Sequence, residues 1–320
     1  MNNIIMSHKN SFIYIEYCRI STVDNQLCFS KSNNGEIKYY TIPYGNLSIL
    51  ILGSGTSITQ QAARLIASNK MLLAFSSGNM GNLYLTSQSE YRKPQFLQKW
   101  YQMWYNDKSR LNAAKYFFEK RFSNNLLFWK KLNGKIFSDD KIQLNVVELE
   151  NLNNTTLEKV KLVSSTSELL GIEGNYVKEI YHILSKDFNI GFKRDHKDGG
   201  VNAFLNKANY LAYGISSAVL WTLGISASFP LFHGKTRNGG LVFDLADTIK
   251  DAITSPLSFI ATYYKLSSKD LRKIILENFE DFNILSNLFY TIKETLLNFD
   301  NSLNDQFFEE DYYDNSDNQQ

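Results

Sequence analysis

One imidazole and two carboxylates stand out between Asn202 and Asp251, in NAFLNKANYLAYGISSAVLWTLGISASFPLFHGKTRNGGLVFDLADTIKD. His233 follows a Gly-Ile-Ser-Ala-Ser-Phe-Pro break, and Asp244 and Asp247 lie three residues apart on a predicted helix that begins near Leu241. Residues at that spacing share one helix face. An imidazole and two co-facial carboxylates can hold a divalent metal with open positions. One more carboxylate makes the set suitable for phosphoryl transfer. Glu173, in ELLGIEGNYVKEIYHILSKDF, is the candidate, at the start of a helix whose apolar face is Val177, Ile180, Tyr181 and Leu184. Taken singly, each residue has a plain structural role: a macrodipole charge for Glu173, a satisfied histidine for His233, capping charges for the aspartates.

The elements that must position these groups are mostly helical. An apolar helix is predicted over about 201–223. Before it, helices are expected from Pro94 to about Phe128, over Thr155–Leu170 and over Ile172–Ser185. After it they are expected over Pro256–Tyr264, Ser268–Phe279 and Asn283–Phe299. The first carries Lys99, Lys108, Arg110, Lys115, Lys120 and Arg121 between its aromatic residues, read as a solvated basic face, with nucleic-acid backbone contact the second reading. Residues 11–52 read as strands, with a hairpin signal at Asn33-Asn34-Gly35 and a run at Leu47–Leu52 apolar enough for burial on both faces. Gly53-Ser54-Gly55-Thr56-Ser57-Ile58-Thr59 then opens a helix over Gln60–Ser68; it lacks the Walker pattern and reads as a turn with a capping Ser or Thr. The DFNIGFKRDHKDGG loop, with Lys193, Arg194, His196 and Lys197, reads equally as a solvated turn or a phosphate grip.

The fold class is therefore α+β: a small β-rich domain over residues 1–90, a larger all-α domain over 91–300, and an acidic tail over 301–320 expected to be disordered. With 43% hydrophobic residues the chain can bury a full core, and a net charge of only +2 confines any nucleic-acid surface to a local patch. Cys18 and Cys28 are expected as reduced, buried thiols, and no secretory segment is recognised at the N-terminus, so a cytoplasmic location is expected. The run from Ala208 to Phe232 has no formal charge, but Asn209, Thr222, four serines, two glycines and Pro230 dilute it; a buried core helix fits it better than a membrane span.

Four motifs carry a family resemblance: Glu173-Gly-(two)-Val177-Lys178-(two)-Tyr181, Asn202-(two)-Leu205-Asn206-(two)-Asn209-Tyr-Leu-Ala-Tyr213-Gly214, Phe232-His-Gly-Lys-Thr-Arg237, and Val242-Phe-Asp-Leu-Ala-Asp247. Together they resemble CRISPR-associated protein 1, the integrase of spacer acquisition, and are most similar to its subtype I-F branch. The Gly53–Thr59 turn and the Glu90-Tyr-Arg-Lys-Pro94 junction look like that branch too. The resemblance implies metal ligands at Glu173, His233 and Asp247, with Asp244 a supporting acid, and a Mg²⁺ or Mn²⁺ cofactor. In many branches the last motif ends Asp-x-x-Glu followed by Arg; here it ends at Asp247, followed by Lys250. It further implies a homodimer, double-stranded DNA as substrate, and a partner resembling CRISPR-associated protein 2, fused in this branch to a helicase-nuclease. In that chemistry a DNA 3′-hydroxyl attacks a phosphodiester, and Lys193, Arg194, Lys197, Lys235 and Arg237 are placed to neutralise phosphate. A nuclease acting on branched DNA and a non-catalytic DNA scaffold are the competing readings.

Overall fold

The computed structural model describes residues 11–33, 36–69, 71–76, 83–85, 94–137, 140–195, 199–234 and 237–299. The expected boundary near Tyr91, the acidic tail, the tip of the Asn33–Gly35 hairpin, His196, Lys197 and Lys235 lie outside those residues.

The β-rich part holds two four-stranded sheets. The strands are β1 (Ser11–Ile15), β2 (Arg19–Val23), β3 (Gln26–Asn33), β4 (Glu36–Thr41), β5 (Leu47–Leu52) and β6 (Ser57–Ile58). Helix α1 (Gln60–Ser68), β7 (Leu72–Ser76) and β8 (Leu83–Leu85) complete it. One sheet runs β1-β5-β7-β8, parallel except at its last pair; the other runs β4-β3-β2-β6, antiparallel except where β2 meets β6. The run SFIYIEYCRI is two strands in different sheets, because the chain turns at Tyr17, whose φ is +52°. All six residues of β5 are buried, as a run apolar except for Ser48 predicts. Leu50 and Leu52 enter the core between the sheets, whereas Ile49 and Ile51 join the core of the helical part. Thr59 caps α1 by accepting from the Ala62 N–H, the local role expected of this turn. Cys18 and Cys28 are buried and unpaired.

The helical part begins with α2 (Gln95–Tyr105) and α3 (Asp107–Leu132). These form a broken pair where the sequence predicts one helix, because the Asn106 side chain accepts from the Ser109 N–H and starts a new helix. A two-residue ribbon, β9 (Ile136–Phe137) with β10 (Asp140–Lys141), interrupts what was expected to be all α. Helices α4 (Val146–Leu162) and α5 (Thr166–Asp187) follow. The break between them falls at Val163–Ser165, not at Gly171 as predicted, because Ser165 caps the Glu168 N–H. Glu173 consequently sits inside α5 and not at its start. Then come α6 (Val201–Thr222), α7 (Gly240–Ile249), a π-helical turn at Lys250–Thr254, α8 (Ser255–Tyr263), α9 (Ser268–Asp281) and α10 (Ile284–Phe299). Helix α6 packs against α7, α8, α9 and α10 at the centre of the core. Among the described residues no helix is long and apolar enough to cross a membrane. The two parts also meet where Arg272 of α9 donates to Glu16 at 2.5 Å.

Candidate active site

His233 is presented by the long connection (residues 223–239) between α6 and α7, and three features fix the part that carries it. Trp100 and Trp104 of α2 donate their indole N–H groups to the carbonyls of Phe229 (3.0 Å) and Pro230 (2.7 Å). Gly240, at the first turn of α7, lies so close that a Cβ there would meet Pro230 Cβ at 2.8 Å and the His233 carbonyl at 3.1 Å. Asp244, one turn into α7 and 0% exposed, accepts the backbone N–H of Leu231 (2.6 Å) and of His233 (3.2 Å).

The same carboxylate orients the imidazole. Asp244 Oδ1 lies 2.7 Å from His233 Nδ1, and both of its oxygens already accept backbone N–H groups, so the ring nitrogen is the donor. That leaves Nε2 on the far side of the ring, 3.8 Å from Asp247 Oδ2. Burial pushes the imidazole pKa down, but the Asp244 hydrogen bond and the charges of Asp247, Asp244 and Glu173 outweigh it and raise His233 above its ordinary value. Burial raises Asp244. Burial also acts upward on Asp247, yet Lys250, Arg121 and His233 together hold it below the usual carboxylate range.

Two cations complete the centre. Lys250 Nζ lies 2.5 Å from Asp247 Oδ1, and Lys250 stands over the Tyr213 ring at 5.5 Å. Arg121 of α3 donates through Nε and Nη2 to Asp251 Oδ2, at 2.7 and 2.5 Å, and lies 3.4 Å from Glu173 Oε1. Glu173 keeps 18% of its side chain exposed, against 4% for Asp247. It is thus the most open acid of the group. Among the described residues no three His, Cys, Asp or Glu groups close on a common point tightly enough to hold a metal as they stand. Lys250 and Arg121 hold the carboxylates instead.

The structure brings Glu173, His233, Asp244 and Asp247 into one neighbourhood; the expected phosphate-neutralising residues fare differently. Arg194 is engaged within the fold, donating to Asn202 Oδ1 (2.9 Å) and Asn206 Oδ1 (2.7 Å) at the start of α6. Lys193 is exposed, and its carbonyl accepts from Asn202. Arg237 is exposed and stacks over Phe243 at 4.5 Å, beside His233. Sequence reasoning missed Arg121, which it placed on a solvated face; the residue is 2% exposed. Its spacing from Phe117, Phe118, Phe122 and Asn125, all buried, was the available signal. It missed Asp251 as well, four residues beyond Asp247.

A β-rich part docked on a helical core, with a histidine clamped between two helical aspartates, defines a class of protein built around a buried acidic centre. The family model for "CRISPR associated protein Cas1" matches residues 12–271, and the chain belongs to that family. A "CRISPR-associated endonuclease Cas1" of Pseudomonas aeruginosa is 30% identical over 92% of this chain and 95% of its own length; one of Pectobacterium atrosepticum is 30% identical over 88% and 90%. Among solved structures, a CAS1 protein from Thermotoga maritima matches with a TM-score of 0.67, 17% identity and 90% and 97% coverage. A Cas1–DNA complex (TM-score 0.60, 19% identity, 89% and 96% coverage) and a casposase bound to its integration product (0.62, 16%, 93% and 98%) share the fold.

Proposed function

We propose that this chain is a metal-dependent DNA integrase and endonuclease that inserts spacer DNA into a CRISPR repeat array. The observation that carries the reading is the His233–Asp244 pair, which turns Nε2 toward Asp247, with Glu173 near enough for its charge to act on the imidazole. The names of the two curated relatives, CRISPR-associated endonucleases, support the nuclease chemistry, and the casposase neighbour supports joining as well as cutting. The relatives of Pseudomonas and Pectobacterium support the subtype I-F assignment.

The donor chemistry fits a divalent ion. Four carboxylates (Glu173, Asp244, Asp247, Asp251) face two fixed cations (Arg121, Lys250), so the centre carries surplus negative charge. Glu173, His233 Nε2 and Asp247 are the groups that would take Mg²⁺ or Mn²⁺, with the imidazole favouring Mn²⁺. When bound, the ion supplies positive charge at the scissile phosphate. Asp244 holds the imidazole tautomer, and Lys250 supplies a half-buried ammonium beside Asp247. Exposed Arg237 and Lys193, with Lys197 and Lys235, offer charge to the DNA backbone; Arg194 is the weakest of the set, because its guanidinium already serves Asn202 and Asn206. A 3′-hydroxyl replaces one phosphodiester by another, so no nucleotide cofactor is consumed. A homodimer and a partner of the CRISPR-associated protein 2 type, fused to a helicase-nuclease, complete the assembly.

The test is strand transfer of a short 3′-hydroxyl duplex into a supercoiled repeat plasmid with Mn²⁺, Mg²⁺ or EDTA. Joining that requires the metal is expected. Cutting without joining, even with the partner added, would assign the chain to branched-DNA cleavage.

A further inference from the structure

We infer that Arg121 is a positioning residue of the acidic centre: from α3 it holds Glu173 and ties it to the π-helical turn that follows Asp247. The inference rests on the metal-centre reading above and goes beyond it.

Arg121 is buried among Phe117, Phe118 and Phe122, where a guanidinium is tolerated only if its donors are matched. They are matched across two elements. Nε and Nη2 take Asp251 in the π-helical turn, while Nη1 and Nη2 both lie 3.4 Å from Glu173 Oε1 in α5. The guanidinium also stands over the ring of Tyr176, three residues beyond Glu173, at 5.2 Å. Tyr176 is locked in turn by Asn125 and Asn153, each at 2.7 Å. Only a planar fork reaches both carboxylates at once; a lysine ammonium is a single point.

The neighbouring residues of α3 show what the grip acts on. Asn124 donates to the Thr248 carbonyl at 2.9 Å and Trp129 to the Asp251 carbonyl at 2.8 Å. The Thr248 carbonyl precedes the π-helical turn and the Asp251 carbonyl lies within it, where the regular i→i−4 ladder is interrupted. One face of α3 therefore fixes the offset between Asp247 and Asp251 and, through Arg121, the distance from that turn to Glu173. Among the described residues Arg121 donates to Asp251 and Glu173; its charge also acts on Asp247, but a lysine would keep that charge, so what the fork adds to the centre runs through Glu173.

The test is Mn²⁺ binding to the full chain, followed by electron paramagnetic resonance of the free ion, with circular dichroism as the check on folding. Arg121→Lys is expected to weaken Mn²⁺ binding about tenfold or more, as loss of groups that orient metal ligands does. In a Glu173→Gln background the same change is expected to shift affinity by less than about twofold, because the two act as a unit. If Arg121→Lys fails to fold, Arg121→Gln with Asp251→Asn replaces it; that pair removes both buried charges together. Wild-type uptake with unaltered affinity in the Arg121 variant, or an equal loss in both backgrounds, overturns the inference alone. No Mn²⁺ uptake by the wild type overturns the metal reading, and the inference with it.

Discussion

His233 Nδ1 lies 2.7 Å from Asp244 Oδ1, and this buried contact makes the histidine directional. Asp244 accepts from two backbone N–H groups of the loop as well, so it sets both the ring and the chain that carries it. Asp244→Asn keeps the shape but turns one acceptor oxygen into a donor nitrogen facing N–H groups. We expect strand transfer to fall by about 10–100-fold, the usual range for a group that orients a ligand. Rates measured at saturating Mn²⁺ check it, and a variant within twofold of wild type would leave Asp244 only a structural anchor of the loop.

Gly240→Ala tests the packing behind the same loop. The new methyl would meet Pro230 Cβ at 2.8 Å and the His233 carbonyl at 3.1 Å. Overpacking at such a site costs about 1–3 kcal/mol. A lower midpoint in urea should accompany reduced strand transfer, since relief of the clash has to move the His233 loop.

Asp251→Ala would remove the closest partner of the buried Arg121 guanidinium and leave it Glu173 at 3.4 Å and the charge of Asp247. Breaking one partner of a buried pair costs about 3–5 kcal/mol. Equilibrium denaturation should show that loss. A change under about 1 kcal/mol would mean that water reaches Arg121.

The contact of α10 with α3 carries a pH dependence of known sign. Burial raises Glu294, but the hydrogen bonds from Lys120 (2.5 Å) and Tyr116 (2.6 Å) outweigh it, and its pKa lies below the ordinary 4.5. A depressed carboxylate adds stability above its ordinary value and loses it as pH falls through the folded value. The pair is partly exposed, so the gain is at most about 1 kcal/mol. Comparing Glu294→Gln with wild type should show a small stability gap at pH 7 that closes below pH ~4.5.

The sequence made β5 legible because a strand buried on both faces is apolar at nearly every step (Ser48 is its one polar residue), and α1 legible because its cap is local. His233, Asp244 and Asp247 were legible because a break and one helical turn place them. Glu173 was found, but at the wrong place in its helix: Gly171 and Gly174 suggest a break that Ser165 makes earlier. Arg121 and the π-helical turn were not legible. A buried arginine looks like any basic residue until the carboxylate 130 positions away that neutralises it is known. Arg194 misled for a related reason, since its partners Asn202 and Asn206 carry no charge to announce the contact.

The central claim is that His233 is part of a metal-dependent strand-transfer centre. Its most direct test runs wild type and His233→Ala side by side on the supercoiled repeat plasmid, with Mn²⁺ and with EDTA, after circular dichroism has shown both to be folded. The account predicts joined product only for wild type with Mn²⁺. Equal joining by His233→Ala, or joining by wild type in EDTA, would contradict it.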